Sequence, residues 1–165
     1  MRILGIDPGT LAMGYGLIEE EDEALTMLDF GVLTASAKTP PADRLYKMYG
    51  KLLEIMACHK PDEVAIEEPF VAKNARSALA IGRAQAIAML AASSNDIPIY
   101  TYAPTKVKQS IAGYGRGGKE QIQQMVKIHL GLSQIPQPDD AADALAVALC
   151  HLRERQVAKL MAEGA

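Results

Sequence analysis

Apolar residues recur along this chain in two rhythms, one short and alternating, the other helical. Ile3, Leu4 and Ile6 form a buried run that predicts a strand over residues 2–7. Residues 13–21, "MGYGLIEEE", alternate roughly and have glycine around their turn, which predicts a second strand. Residues 23–35 then predict a third, paired across the acidic turn at 19–23. The rhythm changes after Pro41, where Leu45, Met48, Leu52 and Met56 follow at helical spacing. A short buried strand over 62–68, a long helix over 74–92 and another strand over 97–102 come next. Helices over 104–112 and 119–131 flank the glycine-rich "AGYGRGG", and Pro136 and Pro138 lead into a last helix over 140–157. Hairpins followed by alternation predict an α/β protein with a mixed five-stranded sheet flanked by helices. One domain over 1–157 with a short tail over 158–165 accounts for the chain, with no repeat, low-complexity segment or linker.

Composition sharpens this picture in a few places. At 165 residues the chain is long enough to bury a substantial core, and 49% hydrophobic with 22% charged residues is ordinary for a globular protein. Aromatics are scarce and Trp is absent, which makes each of the two Phe residues worth locating. Cys58 and Cys150 lack metal-ligand spacing and sit in helical segments, so they read as buried reduced thiols of a cytosolic protein. The amino end lacks the layout of a signal peptide. The longest apolar stretch, 78–92, is broken by Arg83 and Gln85 and does not read as a membrane span. These features predict a cytoplasmic protein without a membrane. A net charge of −3 argues against a globally basic nucleic-acid coat but leaves a local basic surface open.

Three carboxylate positions stand out. The first strand ends on Asp7, directly before Pro8 and Gly9, and the strand "VAI" ends on Glu67 in the same way. Asp before Pro-Gly is a common turn starter, and the carboxyl end of a central strand is also where open α/β sheets place their chemistry. Glu67 shares a strand face with Ala65, whereas Glu68 points to the other face. In "DDAADALAVALCHL", Asp140 and Asp143 are three apart and share a helix face otherwise wrapped in Ala and Leu. A helix amino terminus accounts for Asp139 as a cap and partly for Asp140, but poorly for Asp143. Acids crowded into an apolar setting repel and are desolvated, so they protonate or splay apart unless a cation neutralises them. Magnesium suits such a set because it takes oxygen ligands and keeps waters and substrate phosphates in its shell. Two ions roughly 4 Å apart would activate a water and stabilise the leaving oxygen of a phosphodiester. His59, His129 and His151 are scattered along helical segments and read as surface or core residues.

Taken together, "GIDPGT", "AIEEPF", "KNARSALAIGRAQ" and "DAADALAVA" resemble, in order and over nearly the whole chain, the RuvC family of bacterial Holliday-junction resolvases. The resemblance implies an RNase H-like fold, a homodimer, and a nuclease that nicks two opposed strands of a four-way DNA junction. It implies magnesium as cofactor, two ions per site with manganese able to substitute, and a branch-migration helicase complex as partner. It places the metal-binding catalytic acids at Asp7, Glu67, Asp140 and Asp143. Asp139 and Glu68 fall outside the motif and remain a cap and a strand-end charge. Phe70 matches the family's aromatic residue that stacks on a base at the crossover, and stacking tolerates any base.

Lys73, Asn74 and Arg76 open the next helix, whose amino terminus attracts phosphate. Lys106, Lys108, Arg116 and Lys119 gather around the glycine-rich loop, and by resemblance Lys108 and Lys119 match lysines needed for cleavage and DNA contact. The DNA-binding set is thus Phe70, Lys73, Arg76, Lys108, Arg116 and Lys119. The helix over 77–92 is apolar on two sides. One side covers the sheet, and the other, including Gly82, Ala86 and Met89, meets a second copy across a two-fold axis. A rival from another class is an actin-like kinase or ATPase, suggested by "GIDPGT". Such proteins bind nucleotide between two lobes, and 165 residues cannot supply both.

Overall fold

The computed structural model describes residues 1–22, 24–69, 75–113 and 118–164. Phe70, Lys73, Asn74 and Arg116, named above as DNA contacts or their neighbours, lie outside the described residues.

Three antiparallel strands come first: β1 (Arg2–Asp7), β2 (Ala12–Glu21) and β3 (Ala24–Thr34). Helix α1 (Pro41–His59) returns the chain to β4 (Glu63–Glu67), which lies parallel to β1 on its free edge. Helix α2 (Ala75–Ser93) then leads to β5 (Ile99–Tyr102), parallel to β4, and completes a mixed sheet in the order β3-β2-β1-β4-β5. Helices α3 (Pro104–Ala112), α4 (Lys119–His129) and α5 (Asp139–Glu163) follow. The predicted order of elements and the RNase H-like mixed sheet are both present.

Strand alternation divides the core in two. Leu4, Ile6, Met13, Leu17, Val64 and Ile66 point to one face, where α1 and α2 cover them with Met48, Leu52, Met56 and a row of alanines. Ile3, Ile18 and Ala65 point to the other, beneath α3, α4 and α5. Helix α5 is buried almost all round from Ala141 to Leu152, which matches its unbroken apolar run. It lies directly on the backbone of β1 and β2. A β-carbon at Gly5 would collide with the Ala144 carbonyl oxygen, and one at Gly14 with that of Asp140. At Gly16 it would stand 2.6 Å from Leu145 Cγ. These strand glycines are therefore a seat for α5 rather than turn residues as their position near a turn suggested. With no side chain, they let the helix come a layer closer.

Several expectations need correction. Helix α5 continues to Glu163, six residues past Val157, so most of the expected tail is helical. Its flanking residue is Pro138, with Asp139 the first helical residue, so Asp139 does not cap the helix. Cys150 is buried, but Cys58 is exposed on the outer side of α1, where helical periodicity turned it away from the sheet. Lys106, grouped above with the basic residues around the glycine-rich loop, pairs with Glu154 of α5 at 2.8 Å. Met89 packs partly against the core beside α1 instead of facing outward.

Candidate active site

The pairing of β1 with β4 aligns Ile3 with Glu63, Leu4 with Val64, Gly5 with Ala65 and Ile6 with Ile66. Extending that ladder by one residue sets Asp7 beside Glu67. Both strands alternate in step, so both carboxylates face the α5 side of the sheet. The antiparallel register with β2 places Asp7 opposite Gly14, whose bare backbone touches Asp140 at the start of α5. Asp7, Glu67 and the Asp140/Asp143 pair are thus brought near one another where two strand ends underlie the first turns of one helix. The adjacent cleft, about 450 Å³ in volume, is lined by Asp7, Glu67, Asp143, Lys108 and Lys119. Asp140 stands at its margin, close enough to act electrostatically on Asp7.

Crowding shows in the protonation of the set. Burial, followed by the charges of Glu67, Asp143 and Asp140, pushes Asp7 up to about 8. Glu67 is pushed up to about 7, again by burial first and Asp143 second. The two carboxyl groups lie within hydrogen-bonding reach, and crowding of this kind disfavours both being ionised at once. Burial also raises Asp143, and the nearby ammonium of Lys119 opposes it. Lys119 Nζ sits 3.2 Å from Asp139 and 3.4 Å from Asp143. Burial lowers its pKa, but the two carboxylates outweigh that effect and the net shift is upward.

Among the described residues no three carboxylates converge on one point, since Asp143 is turned toward Lys119. The donor set nevertheless fits a hard divalent cation. It consists of carboxylate oxygens, half-buried, short of positive charge and holding a proton that an ion can replace. The histidines predicted to be ordinary lie elsewhere: His59 bonds Asp29 at 3.0 Å, His129 meets Arg153, and His151 is buried beneath the sheet. Glu68 is exposed and accepts a hydrogen bond from the Thr101 hydroxyl. Of the expected DNA contacts, Lys108 and Lys119 border the cleft, while Arg76 is exposed in the first turn of α2. The Lys119–Asp139 pair was not foreseen, although lysines cut off from acids by a proline-bounded loop left little local signal.

A mixed five-stranded sheet with acids gathered at its central strand ends under a covering helix defines an RNase H-like nuclease. The comparisons narrow that class. The family model described as "Crossover junction endodeoxyribonuclease RuvC" matches residues 3–151. A crossover junction endodeoxyribonuclease RuvC of Dehalococcoides mccartyi is 51% identical over 164 residues, 99% of this chain and 98% of that protein. The Thermus thermophilus RuvC structure superposes with a TM-score of 0.89 at 34% identity, covering 96% of this chain and 97% of that one. The same protein in complex with a Holliday junction substrate gives 0.89 at 33% identity, with 96% of each chain covered. The chain belongs to the RuvC family of crossover junction endodeoxyribonucleases. The kinase or ATPase alternative is set aside, since family and fold agree over the whole chain on a nuclease.

Proposed function

We propose that this protein resolves Holliday junctions at the cleft between Asp7, Glu67, Asp140 and Asp143, hydrolysing phosphodiesters of opposed strands with magnesium as cofactor. The observation that carries this reading is the Asp7–Glu67 pair. Two adjacent strands end side by side on carboxylates that burial and mutual repulsion hold well above the usual carboxylate range, and a bound cation would offset both. Manganese suits the same oxygen donors. A pair of magnesium ions held by the four acids would supply an activated water and stabilise the leaving oxygen.

The chain's own groups do the rest. Asp7, shared at the centre of the set, and Glu67 present oxygens from β1 and β4, while Asp140 and Asp143 present theirs from α5. Lys108 and Lys119, on the cleft's rim, are placed to hold the scissile phosphate and its neighbour. Arg76, at the opening of α2, extends that basic surface, and Phe70, Lys73 and Arg116 join it on the sequence resemblance alone. Phosphate contacts spread over such a surface supply affinity, and the acids supply cleavage. The nuclease domain in this reading spans 1–157, with the exposed last turns of α5 as a tail.

Paired nicks need paired sites, which a homodimer through α2 provides, and a branch-migration helicase complex would deliver the junction. The protein would act in the cytoplasm, where bacterial DNA lies. Among the described residues no helix is long and apolar enough to cross a membrane. The test is Asp7→Asn. An amide is a neutral and weaker ligand for magnesium, so nicking of a labelled four-way junction falls by orders of magnitude while mobility-shift binding persists. Cleavage at the parent rate would reduce Asp7 to a turn residue and overturn the assignment.

A further inference from the structure

We propose that Tyr102, His151 and Glu63 form a hydrogen-bonded pin that fixes the position of α5 along β4, and so positions Asp143 over Glu67 for catalysis. This inference rests on the four-acid site being catalytic, and it concerns residues that touch neither substrate nor metal.

Glu63 and His151 lie toward the far ends of β4 and α5 from the acids, and Tyr102 reaches His151 from beside Glu67. His151, only 1% exposed, projects from α5 between β4 and β5. Its Nε2 lies 2.6 Å from Glu63 Oε2 and its Nδ1 lies 2.6 Å from the Tyr102 hydroxyl. Arg155, one turn further along α5, donates to the other Glu63 oxygen. The Tyr100 ring covers the imidazole with centroids 4.4 Å apart. One neutral tautomer satisfies every group: Tyr102 O–H donates to Nδ1, and Nε2–H donates to the Glu63 carboxylate. Burial pushes the His151 pKa down, against the pull of Glu63, which agrees with that neutral form.

The dimensions link this pin to the acids. Glu63 and Glu67 share a face of β4 and are four residues apart, about 13 Å along a strand. Asp143 and His151 are eight residues apart on α5, about 12 Å along a helix. Helix and strand run in opposite senses, so Glu63 meets His151 at one end and Glu67 meets Asp143 at the other. Tyr102 closes the figure, because β5 pairs it directly with Glu67 and its carbonyl accepts the Glu68 N–H at 2.9 Å.

Such a pin adds register to a contact made largely of small groups. Ala141, Ala144 and Ala148 of α5 pack on strand backbone bared at Gly5 and Gly14, and Leu145 fills the notch over Gly16. Apolar burial is non-directional, and small side chains offer few ridges to resist sliding along the helix axis. Hydrogen bonds of 2.6 Å are directional and lost over a displacement of about 1 Å. A misplacement of about 1 Å at reacting groups costs on the order of 100-fold in rate. A buried Glu and His in a strand-and-helix core otherwise apolar are expensive to desolvate, and an apolar pair would fill the space as stably. What they add is a fixed position.

The experiment uses the full chain and Tyr102→Phe, which deletes one hydroxyl and keeps the ring, beside His151→Gln and Asp7→Asn. Cleavage of a four-way junction is measured well below the melting temperature, with manganese binding measured by calorimetry on DNA-free protein. For Tyr102→Phe the expected result is kcat about tenfold lower at unchanged KM, with manganese bound several-fold more weakly. A variant that melts earlier but keeps the parent kcat and manganese affinity would show a purely structural role and overturn the proposal. If His151→Gln fails to fold, Tyr102→Phe alone decides. An inactive Asp7→Asn beside a parent-like Tyr102→Phe removes the pin and leaves the site intact. An active Asp7→Asn removes the site, and the pin with it.

Discussion

The Asp140 carbonyl rests where a side chain at Gly14 would begin. That contact couples the second strand to the first turn of α5, and it lies opposite Asp7 in the β1–β2 register. Replacing Gly14 by Ala drives its β-carbon into the backbone of Asp140, where no flexible side chain can yield. The expected cost is about 1–3 kcal/mol of stability, typical of overpacking. Because the displaced residue is a proposed metal ligand, cleavage by the folded fraction falls further than melting alone explains. Thermal melts beside cleavage rates at low temperature separate the two effects. A Gly14→Ala protein that melts early but cuts normally would refute the link between this glycine and the site.

The raised carboxyl groups of Asp7 and Glu67 set a pH dependence with a definite sign. Both pKa values are raised above those of the unfolded chain, so the folded state holds more protons between about pH 4 and pH 8. Without metal, stability is therefore fullest at the acidic end of that window and declines as pH rises through it. Asp7→Asn removes the largest contribution. In chelator at pH 8 it is expected to melt a few degrees above the parent, with the difference vanishing near pH 4. Cation binding must expel the proton, so parent affinity for manganese increases up to about pH 8. Melting curves across pH, with and without chelator, check both statements.

Asp7, Glu67, Asp140 and Asp143 were legible because each breaks a local rule, a charge ending a buried strand or interrupting an apolar helix. The order of elements was legible for the opposite reason, since period and turn residues agreed throughout. Gly5, Gly14 and Gly16 were not, because a strand glycine looks the same whether it marks a turn or seats a helix. Glu63 was hidden too. It reads as the solvent end of a strand, and only the alternation of 63, 65 and 67 on one face hints that it turns inward with Glu67. Its partner His151 comes from 88 residues away, a distance over which no local pattern reaches.

Lys119 divides its charge between Asp139 and Asp143. Both partners of the Asp139 pair are half-exposed and screened by solvent, so Asp139→Asn is expected to leave the melting point nearly unchanged. Its effect appears elsewhere. Freed from Asp139, the ammonium pairs fully with Asp143 and competes with the cation for that carboxylate. The magnesium concentration for half-maximal cleavage is expected to rise about two- to fivefold. An unchanged magnesium titration would mean that Asp139 has no hold on the site.

Helix α2 carries the surface on which two copies are expected to meet. Ala78, Ala84, Ala88, Ala91 and Ala92 face the sheet, while Leu79 and Leu90 are 66% and 58% exposed. Leu79, Gly82, Ala86 and Leu90 fall within a narrow stripe of the helix, spanning about 16 Å. Nothing lies within 4 Å of the position a β-carbon at Gly82 would take. Two leucines flanking two small residues form a self-complementary surface, since a two-fold axis through the centre lays each Leu beyond the small residues of the other copy. Burying a leucine is worth about 1.5–3 kcal/mol, and symmetry doubles every contribution. A charge at either end then has to be desolvated twice. Leu90→Glu is therefore expected to sediment as a folded monomer and to make single, unpaired nicks in a four-way junction, its four acids being untouched. Paired nicking by a Leu90→Glu protein that still sediments as a dimer would place the interface on another face of the molecule.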